Sequence, residues 1–520
     1  MSRPSYPMRV QAASLPQLGV IEPDLAGFRA LAARQRVVPV TMRVLTDEDT
    51  PVSLYRRLCG DGDARGTFLL ESAGEGPSSR WSIIGRRARA ILTEKNGRAH
   101  WIGDAPAGVH STGTPVEVLA ALARAFRAER RPDLPPFTGG LVGLIAYDAV
   151  RYWERLEAAP PDEIGCPDVS LLLAQDALVH DAADSTSILV ANALNLNGTD
   201  TGVDAAYADA VARLEQMRDL LHRPLAPAPS VHESAAAEPS ARTSPEEFQR
   251  AVRSAKKQIV DGDIFQVVPS QRFTMRTDAD PLDVYRVLRR TNPSPYMYLL
   301  RTVDADGAPL DVVGASPESL VTVRDGTATT HPIAGSRPRG ADPDADDQLA
   351  QDLLADPKER SEHLMLVDLA RNDLQRFCTP GSVAVRDLMR IEKYAHVQHI
   401  VSTVTGQLRD GADSYDALVA TFPAGTLSGA PKPSAMRIID GLEPVRRGVY
   451  GGTVGYVDFA GDMDMAIAIR TAVMKDGFAH VQAGAGIVAA SDPEMEHREC
   501  ETKAAAALRA VAAASTVRLA

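Results

Sequence analysis

The pattern of apolar and polar residues in the first part of the chain predicts strands more than helices. Within about residues 41–155, short β-rich runs such as Thr67–Leu70 and Leu141–Tyr147 are separated by turns marked with Gly and Pro. Residues 168–195 continue this pattern, and residues 203–222 have the periodicity of an amphipathic helix. We therefore expect a sheet-rich N-terminal region that ends in a helix.

A change in composition separates this region from the rest of the chain. Residues 223–243 are rich in Ala, Ser and Pro, which is typical of a linker or an exposed loop. Ser244–Glu247 then combines a Ser N-cap, a Pro at the first helical position and a Glu three residues after the cap. This signature predicts a helix that ends near residues 261–263 and is followed by a strand over Ile264–Val268.

The later strands and helices mix without the regular alternation of a parallel α/β fold. We therefore predict an α+β fold with large, mainly antiparallel sheets and surrounding helices, in two interleaved subdomains. A chain of 520 residues is too long for one ordinary compact core. The predicted division is an N-terminal extension over 1–40, an N-terminal region over 41–222, a linker over 223–243 and a second domain over 244–520.

Composition narrows the function. The net charge of −12 argues against nucleic acid or an acidic membrane as a general partner, so an anionic substrate would need local positive charge or a metal ion. Cys59, Cys166, Cys378 and Cys500 have no metal-finger or CxxC spacing and are expected to be reduced thiols. Because no apolar run has the length of a signal peptide or a membrane span, we expect a soluble, cytoplasmic protein.

Two Glu-x-x-Glu pairs lie far apart in the chain. Glu359 and Glu362 form one pair; Glu496 and Glu499 form the other and are followed by Lys503. Residues three apart share one face of a helix, so each pair offers two carboxylates to one point. Four converging carboxylates would suit Mg²⁺, which prefers oxygen ligands and keeps several waters. An isolated pair of this kind is more often ordinary solvated helix surface.

The flanking sequence predicts the helices that carry these pairs. The first pair lies in a helical stretch over about residues 344–374, and the second follows a predicted capping box at Ser491–Glu494. An apolar strand containing Gly484 and Gly486 precedes the second helix, whose Ala-rich continuation reaches residue 514. Arg470 lies in an apolar run, where either a structural salt bridge or recognition of a carboxylate would explain it.

Taken together, these stretches resemble the chorismate-binding enzymes and, within them, the large subunits of anthranilate synthase. The matching stretches are IFQVVPSQRF (264–273), NPSPYMYL (292–299), GASPES (314–319), HPIAGSRPRG (331–340), KERSEHLMLVDLARNDL (358–374), FPAGTLSGAPK (422–432), YGGTVGY (450–456) and GAGIVAASDPEMEHRECETK (484–503). LLES at 69–72 matches in the N-terminal region. A dense series in the same order is much more specific than any one motif.

The resemblance implies the site residues. Mg²⁺ would be held by Glu362 and Glu499 directly, with Glu359 and Glu496 beside them through waters. Tyr450, Arg470, Gly484, Ala485, Gly486 and Lys503 match positions that contact the enolpyruvyl carboxylate and the ring of chorismate. Glu318 matches the acid that protonates the departing C4 hydroxyl, and Gly335, Ser336, Thr426 and His399 match other active-site positions.

Two positions distinguish the branches of the family. Relatives that add water carry a Lys base where this chain has Gln266, and a neutral amide cannot activate water at C2. Relatives that make aminodeoxychorismate place a nucleophilic Lys where this chain has Ala334. Both differences favour ammonia as nucleophile and anthranilate and pyruvate as products. Ser336 replaces the usual Thr and keeps its hydroxyl.

The resemblance also implies a partner and an inhibitor. No cysteine has the Gly-x-Cys-x-Gly context of a glutamine amidotransferase, so a separate glutaminase subunit would supply ammonia. Tryptophan, as feedback inhibitor, would bind at positions matching Leu70, Ser72, Pro295, Tyr296, Met297, Val454 and Tyr456, of which the first two lie in the N-terminal regulatory region over 41–222. The alternatives are the large subunit of aminodeoxychorismate synthase and a catalytically silent allosteric subunit, although the latter should lack metal or acid positions that are present here.

Overall fold

The computed structural model describes residues 17–60, 64–73, 80–157, 159–226, 230–233, 238–393 and 397–519. Its strands are β1 (Ile21–Glu22), β2 (Val37–Leu45), β3 (Thr67–Glu71), β4 (Trp81–Lys95), β5 (Arg98–Ile102), β6 (Gly140–Ile145), β7 (Val169–Asp181), β8 (Thr186–Leu194), β9 (Ser230–Val231), β10 (Ser240–Ala241), β11 (Gln266–Val267), β12 (Ser270–Arg276), β13 (Tyr296–Val303), β14 (Pro309–Ser316), β15 (Ser319–Arg324), β16 (Thr327–Thr330), β17 (Ile333–Pro338), β18 (Ala384–Lys393), β19 (Val397–Gln407), β20 (Gly429–Ala430), β21 (Thr453–Asp458), β22 (Met463–Ile467), β23 (Thr471–Lys475), β24 (Phe478–Gly484) and β25 (Arg518–Leu519).

The helices surround this sheet framework. They are α1 (Leu25–Ala32), α2 (Pro51–Cys59), α3 (Pro115–Ala125), α4 (Val203–Leu221), α5 (Pro245–Asp261), α6 (Pro281–Thr291), α7 (Pro343–Ala355), α8 (Pro357–Gln375), α9 (Ser414–Thr421), α10 (Gly425–Ser428), α11 (Lys432–Leu442) and α12 (Pro493–Ala514). Several begin as the sequence indicates, because Pro at the first helical position needs no hydrogen-bond acceptor. In α5, Ser244 and Glu247 form the predicted capping box.

Strands from both halves of the chain pair with each other. The N-terminal β3 pairs with β13, and β6 pairs with β21. An antiparallel ladder runs from β3 through β13, β14, β23 and β24 to β12. The prediction of an α+β fold with antiparallel sheets is therefore confirmed, and the two parts of the chain are interleaved through shared strands.

Alternation along β13 divides the core into two sides. Met297 and Leu299 pack in a cluster that includes Leu508 of α12, whereas Tyr298 and Leu300 pack in another cluster with strands β3, β6 and β21. Successive side chains of a strand point to opposite faces, so one strand contributes to both clusters. Full burial of a side chain such as Leu508 contributes about 1.5–3 kcal/mol, which fixes α12 against the sheet.

Some sequence predictions for the N-terminal part are wrong. Residues 17–40 are not a loosely tied extension, because they contain β1, α1 and the start of β2, and β2 pairs with β8 along its whole length. The boundary at residue 40 therefore falls inside a strand. Residues 1–16 lie outside the described residues. The predicted helix over 203–222 is confirmed as α4, and the separation into regulatory and catalytic regions stays a prediction.

Other element boundaries also need correction. The predicted helix over 344–374 is two helices, because Asp356 ends α7 and caps α8 with its side chain, while Pro357 begins α8. The predicted strand over 264–268 is limited to Gln266–Val267. Asp492, rather than Ser491, caps α12, and it accepts from the backbone N–H groups of Glu494 and Met495.

The predicted linker over 223–243 contributes to the sheets at two points. Strand β9 pairs with β25 near the C-terminus, and β10 pairs with β12. Residues 227–229 and 234–237 of this segment lie outside the described residues. The four cysteines are unpaired, as expected. Among the helices that the structure describes, none is long and apolar enough to cross a membrane.

Candidate active site

Glu318 lies between β14 and β15, where the chain leaves one strand of the sheet and enters the next. Its backbone carbonyl accepts from Ile467 N–H at 3.0 Å, and its Oε1 accepts from the Thr426 hydroxyl at 3.0 Å. Burial raises the pKa of Glu318 to about 7, although Thr426 and the charge of Lys503 lower it. The side chain can therefore hold and donate a proton near neutral pH.

A second group of predicted residues lies where β17 approaches α8. Nδ1 of His399 is 2.9 Å from the carbonyl oxygen of Gly335, which can only accept, so Nδ1 carries the proton. Burial lowers the pKa of His399 and favours the neutral ring. A β-carbon at Gly335 would lie 2.9 Å from Oε2 of Glu359, so strand β17 touches the first acidic pair. Ser336 is exposed and faces His399 across the β17–β19 ladder.

The first turns of α8 and α12 bring the two acidic pairs together. Burial, together with the charges of Glu359 and Glu499, raises the pKa of Glu362. Burial and the charge of Glu499 likewise raise the pKa of Glu496. Carboxylates from two helices that are distant in sequence thus repel one another, as the spacing predicted.

Basic side chains offset part of this negative charge. Nζ of Lys503 lies 2.6 Å from Oε1 of Glu499, and Arg337 donates to Glu359 over 3.3 Å. Among the residues that the structure describes, no group of three or more His, Cys, Asp or Glu side chains is arranged to hold a metal ion. The expected convergence of four carboxylates on one point is therefore corrected: the acidic pairs are neighbours, but they do not form a ready-made four-carboxylate cluster.

The glycine strand before α12 forms another wall of the site. A β-carbon at Gly484 would lie 2.7 Å from the Tyr450 hydroxyl and 2.8 Å from the carbonyl oxygen of Pro269, so only glycine fits there. A β-carbon at Gly486 would lie 2.7 Å from Nε2 of Gln266. Lys503 donates to the carbonyl oxygen of Gly484 at 3.1 Å. Ala485 lies between the two glycines and is buried.

For Arg470 the sequence left two explanations open, a structural salt bridge and recognition of a carboxylate, and the structure, over the part of the chain it describes, rules out the first. Across the described residues, the structure gives it no ion pair or hydrogen bond from its guanidinium, so the structural salt bridge is not formed. Burial lowers its pKa, and the charges of Tyr450 and Glu499 act in the opposite direction. Its backbone is left-handed, with φ of 52°, at the turn between β22 and β23. A partly buried guanidinium without a counter-ion is suited to receive an anionic ligand.

Charge interactions between these residues indicate that they lie in one site. The charge of Lys503 acts on Glu318 and on Glu362, and the charge of Arg470 acts on His399. We call this site the cleft; it comprises Gln266, Glu318, Gly335, Ser336, Glu359, Glu362, His399, Thr426, Tyr450, Arg470, Gly484, Ala485, Gly486, Glu496, Glu499 and Lys503. A cavity of about 60 Å³ borders Glu318 and Thr426. A larger cavity of about 930 Å³ lies between α1 and α4 and contains none of these residues.

The sequence model of the chorismate binding enzyme family matches residues 67–509, which is most of the chain. The chain belongs to the chorismate-binding enzymes. It is 53% identical over 505 residues to anthranilate synthase component 1 of Arthrobacter globiformis, covering 96% of this chain and 95% of the relative. It is 54% identical over 492 residues to the protein of the same name from Mycolicibacterium smegmatis, covering 94% of each.

Solved structures of chorismate-binding enzymes share the fold. Anthranilate synthase component I from Streptococcus pneumoniae superposes with a TM-score of 0.72 at 35% identity, covering 89% of this chain and 99% of that one. MenF, the menaquinone-specific isochorismate synthase of Escherichia coli, superposes with a TM-score of 0.69 at 18% identity, covering 94% and 99%. The second likeness concerns the fold alone.

The positions predicted to bind an inhibitor lie in the sheet rather than in the cleft. Leu70, Val454 and Tyr456 belong to one apolar cluster, and the charge of Tyr456 acts on the neighbouring Tyr296. We call these four residues, with Ser72 and Pro295, the sheet site. Within the described residues, the buried Oγ of Ser72 has no hydrogen-bond partner. The side chain of Met297 faces the opposite cluster, so only its backbone could contribute.

Sequence reasoning missed several residues of this chorismate-binding enzyme. Arg337 pairs with both Asp356 and Glu359, and the charge of Lys358 acts on Glu362 and Glu496. Lys358 stands beside Glu359 in the sequence and could have been noticed there. The buried pair of Glu443 and Arg447 has only its four-residue spacing as a signal, and nothing in that spacing predicts burial.

Proposed function

We propose that the chain is the larger subunit of an anthranilate synthase, which converts chorismate and ammonia into anthranilate, pyruvate and water, the first step of tryptophan biosynthesis. The observation that carries this proposal is the position of Glu318. A carboxyl group with a pKa of about 7 stands in the same site as Arg470, whose guanidinium has no partner among the described residues, and Lys503, which pairs with Glu499. An acid and two cations match a dianionic substrate that must lose a hydroxyl group.

In the proposed reaction, Glu318 gives its proton to the C4 hydroxyl, which leaves as water. Ammonia forms a bond to C2, and an amino proton is lost to the surroundings. The C2 proton is then lost and the C3–O bond breaks, which produces the aromatic ring. The departing enolpyruvyl group takes up a proton at its methylene carbon and becomes pyruvate. A carboxyl with a raised pKa suits the first step because it is protonated when the substrate binds and strong enough to donate.

The remaining residues bind and orient the substrate. Arg470 and Lys503 offset the cost of removing a dianion from water, a cost that is large in a protein with a net charge of −12. The Tyr450 hydroxyl and the backbone of Gly484–Gly486 form the wall against which the ring and the enolpyruvyl group would lie. His399 fixes the carbonyl of Gly335 and therefore the strand that carries Ser336.

We infer that Mg²⁺ binds between α8 and α12. The repulsion that raises the pKa of Glu362 and of Glu496 supports this, and Mg²⁺ needs only one or two carboxylates together with waters and an anionic substrate, not a ready-made cluster of protein ligands. Glu362 and Glu499 would hold the ion directly, and Glu359 and Glu496 would hold its waters. When bound, the ion would supply positive charge for the ring carboxylate of chorismate.

One assay tests this function. The purified chain is incubated with chorismate, Mg²⁺ and an ammonium salt, with and without EDTA, and anthranilate is followed by its fluorescence. We expect fluorescence that depends on both ammonium and Mg²⁺. A non-fluorescent amino product would instead identify an aminodeoxychorismate synthase, which Ala334 and Gln266 argue against. No turnover with bound chorismate would identify a silent subunit.

The ammonia source is proposed to be a separate glutamine amidotransferase subunit. The cysteines Cys166, Cys378 and Cys500 are buried, and burial raises the pKa of each thiol above its ordinary value. Such thiols are poor nucleophiles. The chain alone should therefore work with ammonium but not with glutamine. Glutamine-dependent turnover by the single chain would contradict this proposal.

Feedback inhibition by tryptophan is proposed to act at the sheet site. Leu70, Val454 and Tyr456 offer apolar and aromatic surface, and Ser72 offers a buried hydroxyl without a partner among the described residues. A buried hydroxyl without a hydrogen-bond partner lowers the stability of the fold, and a ligand whose polar group bonds to it would recover that free energy. An amphipathic amino acid with an aromatic side chain satisfies both features.

A further inference from the structure

A buried ion pair lies directly behind the cleft. Glu443 follows α11, and Arg447 precedes Tyr450; they are 7% and 3% exposed. The guanidinium donates through Nη2 to Oε1 at 2.6 Å and through Nε to Oε2 at 2.9 Å. Two parallel hydrogen bonds of this kind fix both the distance and the orientation of the two groups.

The same two side chains hold two other segments, one around Val268 and Ser270 and one at Leu427. Arg447 donates to the carbonyl oxygens of Leu427 at 2.7 Å and Val268 at 2.6 Å. Glu443 Oε1 accepts from both the backbone N–H and the hydroxyl of Ser270, each at 2.8 Å. The donors and acceptors of the pair are therefore used to connect chain segments that are far apart in sequence.

Every segment held in this way carries a residue of the cleft. Val268 lies two residues after Gln266, and Leu427 follows Thr426. Ser270 faces Gly484 across the β12–β24 ladder. The guanidinium also stacks 5.5 Å from the centre of the Tyr450 ring.

We propose that Glu443 and Arg447 are positioning residues that set the mutual geometry of Gln266, Thr426, Tyr450 and Gly484 for chorismate. This inference rests on the proposed function. A buried ion pair adds little stability compared with apolar residues of the same volume, so its main contribution here is orientation. Arg is needed because its planar fork serves four acceptor atoms at once, the two Glu443 oxygens and the carbonyl oxygens of Leu427 and Val268, whereas the ammonium group of Lys has three N–H donors.

The test is Arg447→Lys, with kinetics measured per folded molecule well below the melting temperature. Because a displacement of about 1 Å can cost about 10²-fold in rate, we expect kcat/KM for chorismate to fall by about that factor. Arg213→Lys is the matched control, since Arg213 forms a buried pair with Asp176 in the N-terminal region. The control should lower the melting temperature and leave kcat/KM unchanged.

A double-variant cycle separates positioning from general stability. If Arg447 acts through Tyr450, the double variant Arg447→Lys/Tyr450→Phe should lose clearly less kcat/KM than the product of the two single-variant losses. A lower melting temperature with unchanged kcat/KM, or strictly multiplicative effects in the cycle, would overturn the proposal. If Arg447→Lys does not fold, Ser270→Ala takes its place as the test. We expect its kcat/KM for chorismate to fall about fivefold, and an unchanged kcat/KM would overturn the proposal.

The two proposals fail in different ways. The product formed by the unsubstituted chain decides the proposed function. Chorismate affinity, measured by calorimetry on the unsubstituted chain and on Arg447→Lys, decides the positioning role even if the product is not anthranilate. Equal affinity and equal kcat/KM in both proteins would remove the positioning role and leave the proposed function standing.

Discussion

In the cleft, Glu362, Glu496 and Glu499 lie close enough to repel one another, and Lys503 and Lys358 offset part of their charge. In the sheet site, by contrast, Val454 and Tyr456 belong to an apolar cluster, and Ser72 contributes a single hydroxyl. The first arrangement favours ligands that bring charge, and the second favours a ligand that is mostly apolar. The two sites should therefore respond separately to substitution, each affecting either turnover or inhibition.

The strongest test of this separation is Glu318→Gln. The amide cannot donate the proton that the C4 hydroxyl requires, so kcat should fall by about 10²–10⁴-fold. Chorismate and tryptophan affinities, measured by calorimetry, should stay within about twofold of the unsubstituted protein. Turnover at the original rate would show that another group is the acid.

The next effect is expected at the acidic helices. Glu499→Gln removes one charged oxygen contact, worth about 1.5–3 kcal/mol, and should raise the Mg²⁺ concentration for half-maximal activity by roughly 10–150-fold. The rise in melting temperature on adding Mg²⁺ should shrink in parallel. Glu494→Gln is the control, because Glu494 lies on the same helix, in its first turn, but pairs with the exposed Arg498. Identical responses in the two variants would contradict the metal assignment.

The pH dependence of kcat/KM gives a third test. Glu318 must be protonated to act, and its pKa is about 7, so activity should be retained below that pH and fall about tenfold per unit above it. Thr426→Val removes a hydrogen bond that favours the carboxylate, so the falling limb should move to higher pH. A limb that does not move would show that another group titrates.

The smallest effect is expected in the sheet site. Ser72→Ala removes the proposed hydrogen bond from Ser72 to bound tryptophan, worth about 0.5–1.5 kcal/mol. It should therefore weaken tryptophan inhibition by about 2–13-fold while kcat is unchanged. Met297→Leu is the matched comparison, because its side chain faces the other cluster and its replacement should leave inhibition as it was. The inhibition curves of the two variants should differ, and coincident curves would count against the site.

The local signals in the sequence predicted the parts of the fold that depend on neighbouring residues. The capping box of α5 and the Pro-led start of α12 are examples, since the groups that decide them lie within one turn. The division between α7 and α8 was missed although Asp356 and Pro357 form the same kind of signal. Apolar residues with helical spacing lie on both sides of this break, so the sequence suggested one long helix.

The site was predictable only in part. The spacing of the glutamates predicted which faces would carry them, the apolar run around Arg470 singled out that residue, and the resemblance added Glu318 and His399. Neither could show that Arg337 would pair with Glu359, because this contact depends on how β17 packs against α8. The four-residue spacing of Glu499 and Lys503 on one helix, by contrast, already favoured their pair. The sequence likewise could not show that the Met297 side chain lies on the face of β13 away from the sheet site. That became clear only from the pairing register of β13 with β3.

The register between β13 and β14 has one more consequence. Tyr296, at the start of β13, stands directly opposite Ser316, and the Ser316 hydroxyl donates to the backbone carbonyl of Glu318. The proposed inhibitor position and the proposed proton donor are therefore joined by one strand pairing between β13 and β14 and one side-chain hydrogen bond.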